Sequence, residues 1–183
     1  AKSKTAIAKK TVAEKTATTK RTRTPARSTE APARGLRVSK AVEDPHAIYL
    51  MEPTARIRLI KRGVRAAAVS SLAKRMEWTK ERFTQSLGLS IATIDRRVRD
   101  QENLTTQESE RYIGLIKLIG QVQAVVEQSG DPGNFDATQW FAQWLDKPLP
   151  ALGGSRPVEY IDTSEGREML SRLIAMAQSG AYA

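Results

Sequence analysis

The sequence predicts an all-α protein in three parts: a basic N-terminal tail over residues 1–45, a helix-turn-helix domain over 46–129, and a small helical module over 130–183. Three observations lead there. Apolar residues between 56 and 129 recur at helical spacing. Helix start signals punctuate the chain, above all T-K-E-R at 79–82 and T-T-Q-E at 105–108. The charge is also divided. Residues 1–45 hold 12 Lys/Arg against 4 Asp/Glu, net +8. Residues 56–111 hold 13 against 7, net +6, and residues 128–183 hold 4 against 7, net −3. A basic front with a mildly acidic rear implies two different partners, one of them polyanionic.

Composition narrows the class. A chain of 183 residues accommodates one or two small domains. The absence of cysteine excludes disulfides, thiolate catalysis and cysteine zinc sites, and fits a reducing cytoplasm. No apolar run approaches the roughly 20 residues that span a membrane. The basic N-terminus lacks the apolar stretch of a secretory signal. The expectation is a cytoplasmic protein, nucleoid-associated when bound to DNA, with no membrane partner.

The tail is mostly Ala, Lys, Thr, Arg and Pro. Its few large apolar residues show no sustained period, so it is expected to be disordered. It reads either as a basic arm adding salt-sensitive affinity for phosphates or as a solubilising extension. The single histidine, His46, stands at its edge in D-P-H-A. Without a second ligand nearby it reads as a junction residue, not a metal ligand.

In the second part, Ile57, Leu59, Ile60 and Val64, then Ala68, Leu72 and Met76, mark two short helical faces broken near Gly63. Thr79 can cap the next helix, with Phe83 and Leu87 inward and Arg82 facing water. Gly88 supplies the left-handed turn, and a second helix starts at Ser90 or just after it. Leu87, Leu89, Ile94 and Val98 sit where these two helices would pack. That leaves Ser90, Ala92, Thr93, Arg96, Arg97 and Arg99, together with Lys80, as candidate DNA contacts. Small and hydroxyl residues at the start of the second helix can approach base edges, and the arginines can reach guanines or phosphates. Asp95 would repel phosphate, so it should point away or pair with Arg99 one turn on. The bland alternative is a bundle turn whose arginines only solvate one face. Thr105 and Glu108 form a capping box that launches a long helix to about Gln128. That helix is apolar over much of its circumference, and it is either buried within the chain or a homodimer surface.

In the third part, Asp136 or Thr138 caps a short helix bearing Trp140, Phe141, Trp144 and Leu145 on one face, ended by Pro148 and Pro150. Gly153 and Gly154 free the backbone for positive φ, and Pro157 suits the first turn of another short helix. Asp162 with Glu165 resembles a capping box for the last helix, whose inner stripe is Met169, Leu170, Leu173, Ile174 and Ala177. No Cys/His ligand set, phosphate loop or serine elbow is present. The module reads as a binding device without catalytic residues, metal or cofactor. The terminal Gly180-Ala181-Tyr182-Ala183 could enter a partner's cleft, Tyr182 offering a flat apolar body and one polar tip.

The order W-F-x-x-W-L, P-x-x-A-L-G-G-x-x-P, D-T-x-x-G and G-x-Y-A resembles the C-terminal toxin-binding domain of the Xre/MbcA/ParS family of antitoxins. The spacing L-G-L-S-x-x-T-I-x-R-R, followed by Leu104 and Glu108-Ser109-Glu110-Arg111, resembles the Xre-type helix-turn-helix of the same family and extends the likeness back to Arg56. The resemblance implies an antitoxin that occludes the active site of a cognate RES-domain toxin, an ADP-ribosyltransferase-like enzyme that consumes NAD or transfers ADP-ribose. It implies repression of its own operon through operator DNA, as a homodimer or a toxin–antitoxin hetero-oligomer. The toxin contacts it implies are Trp140, Trp144, Leu152, Gly153, Arg156, Pro157, Tyr160, Arg167, Gly180, Ala181, Tyr182 and Ala183. Two other readings fit the residues: a regulator whose C-terminal module binds a different protein, and a nucleoid-associated protein acting through its basic arm.

Overall fold

A computed structural model describes residues 44–130 and 133–178. The readings of the basic tail as far as residue 43 and of Gly180, Ala181, Tyr182 and Ala183 fall outside these residues. The described elements are α1 (Pro45–Leu50), α2 (Pro53–Arg62), α3 (Ala67–Arg75), α4 (Lys80–Ser86), α5 (Ile91–Arg99), α6 (Thr106–Gln128), α7 (Ala137–Trp144) and α8 (Ser164–Gln178). Two 3-10 turns, Pro150–Leu152 and Pro157–Tyr160, lie between α7 and α8.

The 23-residue α6 is the spine. Its start is fixed by the expected capping box: Thr105 Oγ1 accepts the Glu108 amide at 3.2 Å, and the Glu108 carboxylate accepts the Thr105 amide at 2.7 Å. Two of the orphan donors at its N-terminus are thereby satisfied. Its apolar residues, Ile113, Leu115, Ile116, Leu118, Ile119 and Val122 among them, are buried beneath α1, α2, α7 and α8. One apolar cluster runs from Ile48 in α1 to Ile174 in α8. Most of its apolar surface is thus buried within the chain, one of the two expectations for this helix.

Helix α1 lies where the sequence suggested the end of a tail. Six residues are too few for a stable isolated helix, so its support is tertiary. Asp44 caps it by accepting the Ala47 amide at 3.1 Å. Arg56 Nη1 donates to the Ile48 carbonyl at 3.2 Å and to the Met51 carbonyl at 2.7 Å, satisfying acceptors at its end. Ile48 is fully buried against α6. The approach is close enough that a Cβ on Gly120 would stand 2.0 Å from the Pro45 carbonyl oxygen. His46 lies in the first turn of α1, its Nδ1 3.4 Å from the Glu127 carboxylate near the end of α6.

The face expected on α2 is partly corrected. Leu59 and Val64 are buried, but Ile57 is 51% exposed. Only one side of α2 meets α6, and Ile57 lies off it.

Candidate DNA and partner interfaces

The helix-turn-helix is assembled from local signals and then locked from a distance. Thr79 Oγ1 accepts the Arg82 amide at 3.2 Å and starts α4. Gly88 closes the turn at φ 60°, a conformation L-residues rarely adopt. From α6, Arg111 Nη1 donates to the Leu87 carbonyl at 3.1 Å and the Gly88 carbonyl at 2.6 Å. A Cβ on Gly88 would sit 2.8 Å from that Nη1 and would have to displace the guanidinium from its two carbonyls. Ser90 caps α5, accepting the Thr93 amide at 3.4 Å. Leu87, Leu89 and Ile94 are buried and Val98 packs at the margin, as the spacing predicts.

The segment Glu108-Ser109-Glu110-Arg111 is scaffolding for this unit. Glu108 completes the cap of α6. Ser109, fully buried, accepts the Val64 amide at 3.0 Å and donates to the Leu104 carbonyl at 3.4 Å. Glu110 pairs with Arg167, and Arg111 clamps the turn. The sequence offered Ser109 and Arg111 only as parts of a motif; their roles depend on partners more than twenty residues away.

The surface of α5 presents Ser90, Ala92, Asp95, Arg96 and Arg99, with Thr93 half-buried. Asp95 pairs with Lys80 on α4 and not with Arg99, because the turn brings α4 alongside. Arg97 is corrected from a DNA contact to an internal one. Its side chain is 16% exposed, lies 3.6 Å from Glu102 and 3.5 Å from Glu108, and donates to the Asn103 carbonyl at 3.1 Å. Arg96 stands 3.7 Å from Asp100 and 3.6 Å from Glu102 while remaining exposed. Arg99 makes no ion pair among the described residues. Arg82 does not face water freely. Its guanidinium lies 4.1 Å from the centre of the Trp78 ring and 2.5 Å from Asp146.

The C-terminal module carries an aromatic ladder. Asp136 caps α7 by accepting the amides of Thr138 at 2.8 Å and Gln139 at 3.0 Å. Trp140 and Trp144, one turn apart, stack at 6.1 Å with 12° between their planes. Phe135 lies 6.2 Å from Trp140, and Phe141 5.6 Å from Trp144. The ladder grades from surface to core: Phe135 is 37% and Trp140 40% exposed, Trp144 is half-buried, and Phe141 is fully buried. Phe135 was not among the contacts expected from the sequence, although it joins the ladder. Its signal was an aromatic in a polar loop five residues before a tryptophan.

Helix α7 ends at Trp144 with Leu145 as its C-cap, and Pro150 opens a 3-10 turn instead of stopping the helix. Gly153 and Gly154 both take positive φ, 64° and 87°. They form an exposed loop beside the half-buried Leu152. Arg156 is exposed, 3.2 Å from Glu159, whereas Pro157 is buried and Tyr160 half-buried. The cap of α8 is Thr163, whose Oγ1 accepts the Gly166 amide at 3.0 Å, not Asp162. Arg167 is corrected from a partner contact to a core residue. It is 5% exposed, donates to the Ile161 carbonyl at 2.9 Å and pairs with Glu110 at 2.5 Å.

The two halves are tied directly. Arg75 donates to Thr138 at 3.1 Å, Gln139 to Glu77 at 3.0 Å, and Arg82 pairs with Asp146. Among the described residues, no group of three or more His, Cys, Asp or Glu could hold a metal ion, and no helix is long and apolar enough to cross a membrane.

A helix-turn-helix fused along one long helix to a small helical module with an open aromatic ladder defines a DNA-binding protein with a second binding end. Comparison with known proteins names the class more closely. Residues 55–117 match the antitoxin Xre-like helix-turn-helix domain, and residues 122–180 match the antitoxin Xre/MbcA/ParS C-terminal toxin-binding domain. A protein of Sphingobium sp. (strain YBL2), described as a Prs ADP-ribosylating antitoxin, is 40% identical over 137 residues, covering 75% of this chain and 86% of the relative. The chain belongs to the Xre/MbcA/ParS family of antitoxins. The two matched regions meet inside α6, the helix whose sides serve both halves of the core.

Proposed function

We propose that this antitoxin neutralises a cognate RES-type toxin by covering its active site with the aromatic face of α7, the Gly153–Gly154 loop and the terminal Gly180, Ala181, Tyr182 and Ala183. The same chain represses its own operon through α4 and α5. The observation that carries the reading is the Phe135–Trp140–Trp144 ladder. Two large aromatic rings stand more than a third exposed, Trp140 on α7 and Phe135 just before it, while Phe141 on the same helix is locked into the core. Rigid, partly desolvated tryptophans are the residue type most enriched among binding hot spots. Leu152, Arg156 and Tyr160 lie in the segment that follows α7 and add an apolar and a charged contact. The name of the Sphingobium relative supports ADP-ribosyl transfer as the partner's chemistry. On this reading the antitoxin acts by steric exclusion and supplies no NAD site.

On the DNA side, Ser90, Ala92 and Thr93 approach base edges, and Arg96 and Arg99 reach bases or phosphates. Lys80 adds a phosphate contact once it leaves Asp95.

The test is purification of the tagged full chain from its native host with identification of co-purifying protein. It is run beside Trp140→Ala and a chain ending after Gln178. Removing more would cut into α8, whose Leu170, Leu173 and Ile174 are buried. Recovery of one growth-arresting protein by the full chain, lost or weakened with either variant, is the expected result. Recovery of DNA with no stoichiometric protein, when the neighbouring gene is expressed, removes the toxin claim.

A further inference from the structure

Several cations at or near the surface are paired: Lys80 with Asp95, Arg82 with Asp146, Arg156 with Glu159, Arg172 with Glu168, and Arg96 with Asp100 and Glu102. Lys74, Arg99 and Lys147 are exposed without an ion pair among the described residues, but they are scattered along the chain. Such cations are gathered on α2. Arg58, Lys61 and Arg62 on α2 are all exposed and make no ion pair among the described residues. They stand at i, i+3 and i+4, so they share one face of the helix. The only carboxylate close to them in sequence is Glu52, at the N-cap. Arg65, also exposed, follows beyond Gly63.

Like charges at these spacings destabilise a helix. The helix dipole favours Lys61 and Arg62 in the last turn, but it gives no reason for Arg58 in the middle or Arg65 past the end. The basic end of α2 is also joined to the basic end of α5. Asn103 Nδ2 donates to the Arg62 carbonyl at 3.3 Å, and Arg97 Nη1 donates to the Asn103 carbonyl at 3.1 Å. Arg65 pairs with Asn103 through the backbone, and Arg65 and Arg97 line one cleft of about 350 Å³.

We infer that Arg58, Lys61, Arg62 and Arg65 form a second DNA contact, which grips the phosphate backbone of the duplex engaged by α5. The inference rests on the DNA-binding reading of α4 and α5 and extends it. Long cations without a carboxylate partner suit phosphates, which position the protein without reading sequence; Arg65 is held in place by donating to the Gln101 carbonyl at 2.5 Å. The contact adds affinity equally on all duplexes. Preference among sequences stays with Ser90, Ala92, Thr93 and Arg99.

The test uses the full chain and two duplexes of equal length: the DNA immediately upstream of its own reading frame and an unrelated sequence. Binding is followed by fluorescence anisotropy across a salt series. Each phosphate contact contributes about 0.9 to the slope of log affinity against log salt. The variant R58Q/K61Q/R62Q is expected to lose between two and three from that slope. Its affinity should fall by a similar factor, at least tenfold, on both duplexes. A control, K147Q/R172Q, removes two charges from the C-terminal half and should leave the slope within about 0.5 of wild type. Helical content and melting of both variants confirm that they fold.

If wild type binds and the α2 variant keeps its slope, or if the control loses as much as the α2 variant, the second contact is refuted. If R99A or T93A alone erases the preference for the upstream duplex while the α2 variant keeps it, the division of labour stands. If wild type binds neither duplex, the DNA-binding reading itself fails, and this contact with it.

Discussion

Replacing Gly120 with alanine sets local preference against tertiary structure. In a helix interior, alanine is favoured over glycine by about 1 kcal/mol, so α6 alone would become more stable. The fold predicts the opposite sign. The new Cβ would lie 2.0 Å from the Pro45 carbonyl oxygen, 2.6 Å from its carbon and 2.8 Å from Tyr49 Cβ. The first two are backbone atoms of α1, so α1 must lift from α6. Its anchor is Ile48, fully buried, and burying one such side chain stabilises by about 1.5–3 kcal/mol. Losing that against a gain of about 1 leaves a net destabilisation of roughly 0.5–2 kcal/mol. For a chain of this size that lowers Tm by roughly 1–8 °C. Differential scanning calorimetry gives the sign, and chymotryptic cleavage near Tyr49 should accelerate. Because both changes release the same helix, Ile48→Ala should cost about 2–4 kcal/mol in wild type but little more in the Gly120→Ala background. A rise in Tm on Gly120→Ala would refute the close packing of α1 on α6.

Trp140→Ala should lower Tm by a few degrees, the ring being 40% exposed but stacked on Trp144, and weaken toxin binding by about 30-fold in a titration well below Tm, the size of a hot-spot loss near 2 kcal/mol. Phe141→Ala removes a fully buried ring from the same helix and should destabilise by about 3–5 kcal/mol in urea denaturation. Glu110→Ala strips Arg167 of its carboxylate and should lower stability by about 1.5–3 kcal/mol. Toxin affinity, measured well below Tm, should be unaffected; a selective loss of affinity at full stability would restore Arg167 as a contact. Asp95→Asn removes a carboxylate from the reading helix and frees Lys80, so DNA affinity should rise severalfold and its salt slope steepen by about one. A flat response would mean that the pair is already open in solution.

Helix starts were legible in the sequence because their chemistry is local. Thr79, Ser90, Thr105 and Asp136 each accept an amide two or three residues ahead, a bond that can be read off the spacing alone. The Gly88 turn follows from its own φ, and the one-turn spacing of Trp140 and Trp144 fixes their stacking. The sequence by itself therefore determined the all-helical architecture, the helix-turn-helix and the aromatic helix. It could not determine the fate of the arginines. A guanidinium on a long stem takes whatever the fold brings within reach: Asp146 for Arg82, 64 residues away, and Glu110 for Arg167, 57 away. That choice moved Arg97 and Arg167 inward and made Arg111 a clamp. Which tryptophan stays open, and whether a six-residue helix exists at Pro45, were settled in the same way, by what packs against each. Capping acts within one turn and is written in the chain; burial and ion pairing act across the core and exist only once α6 has brought the two halves together.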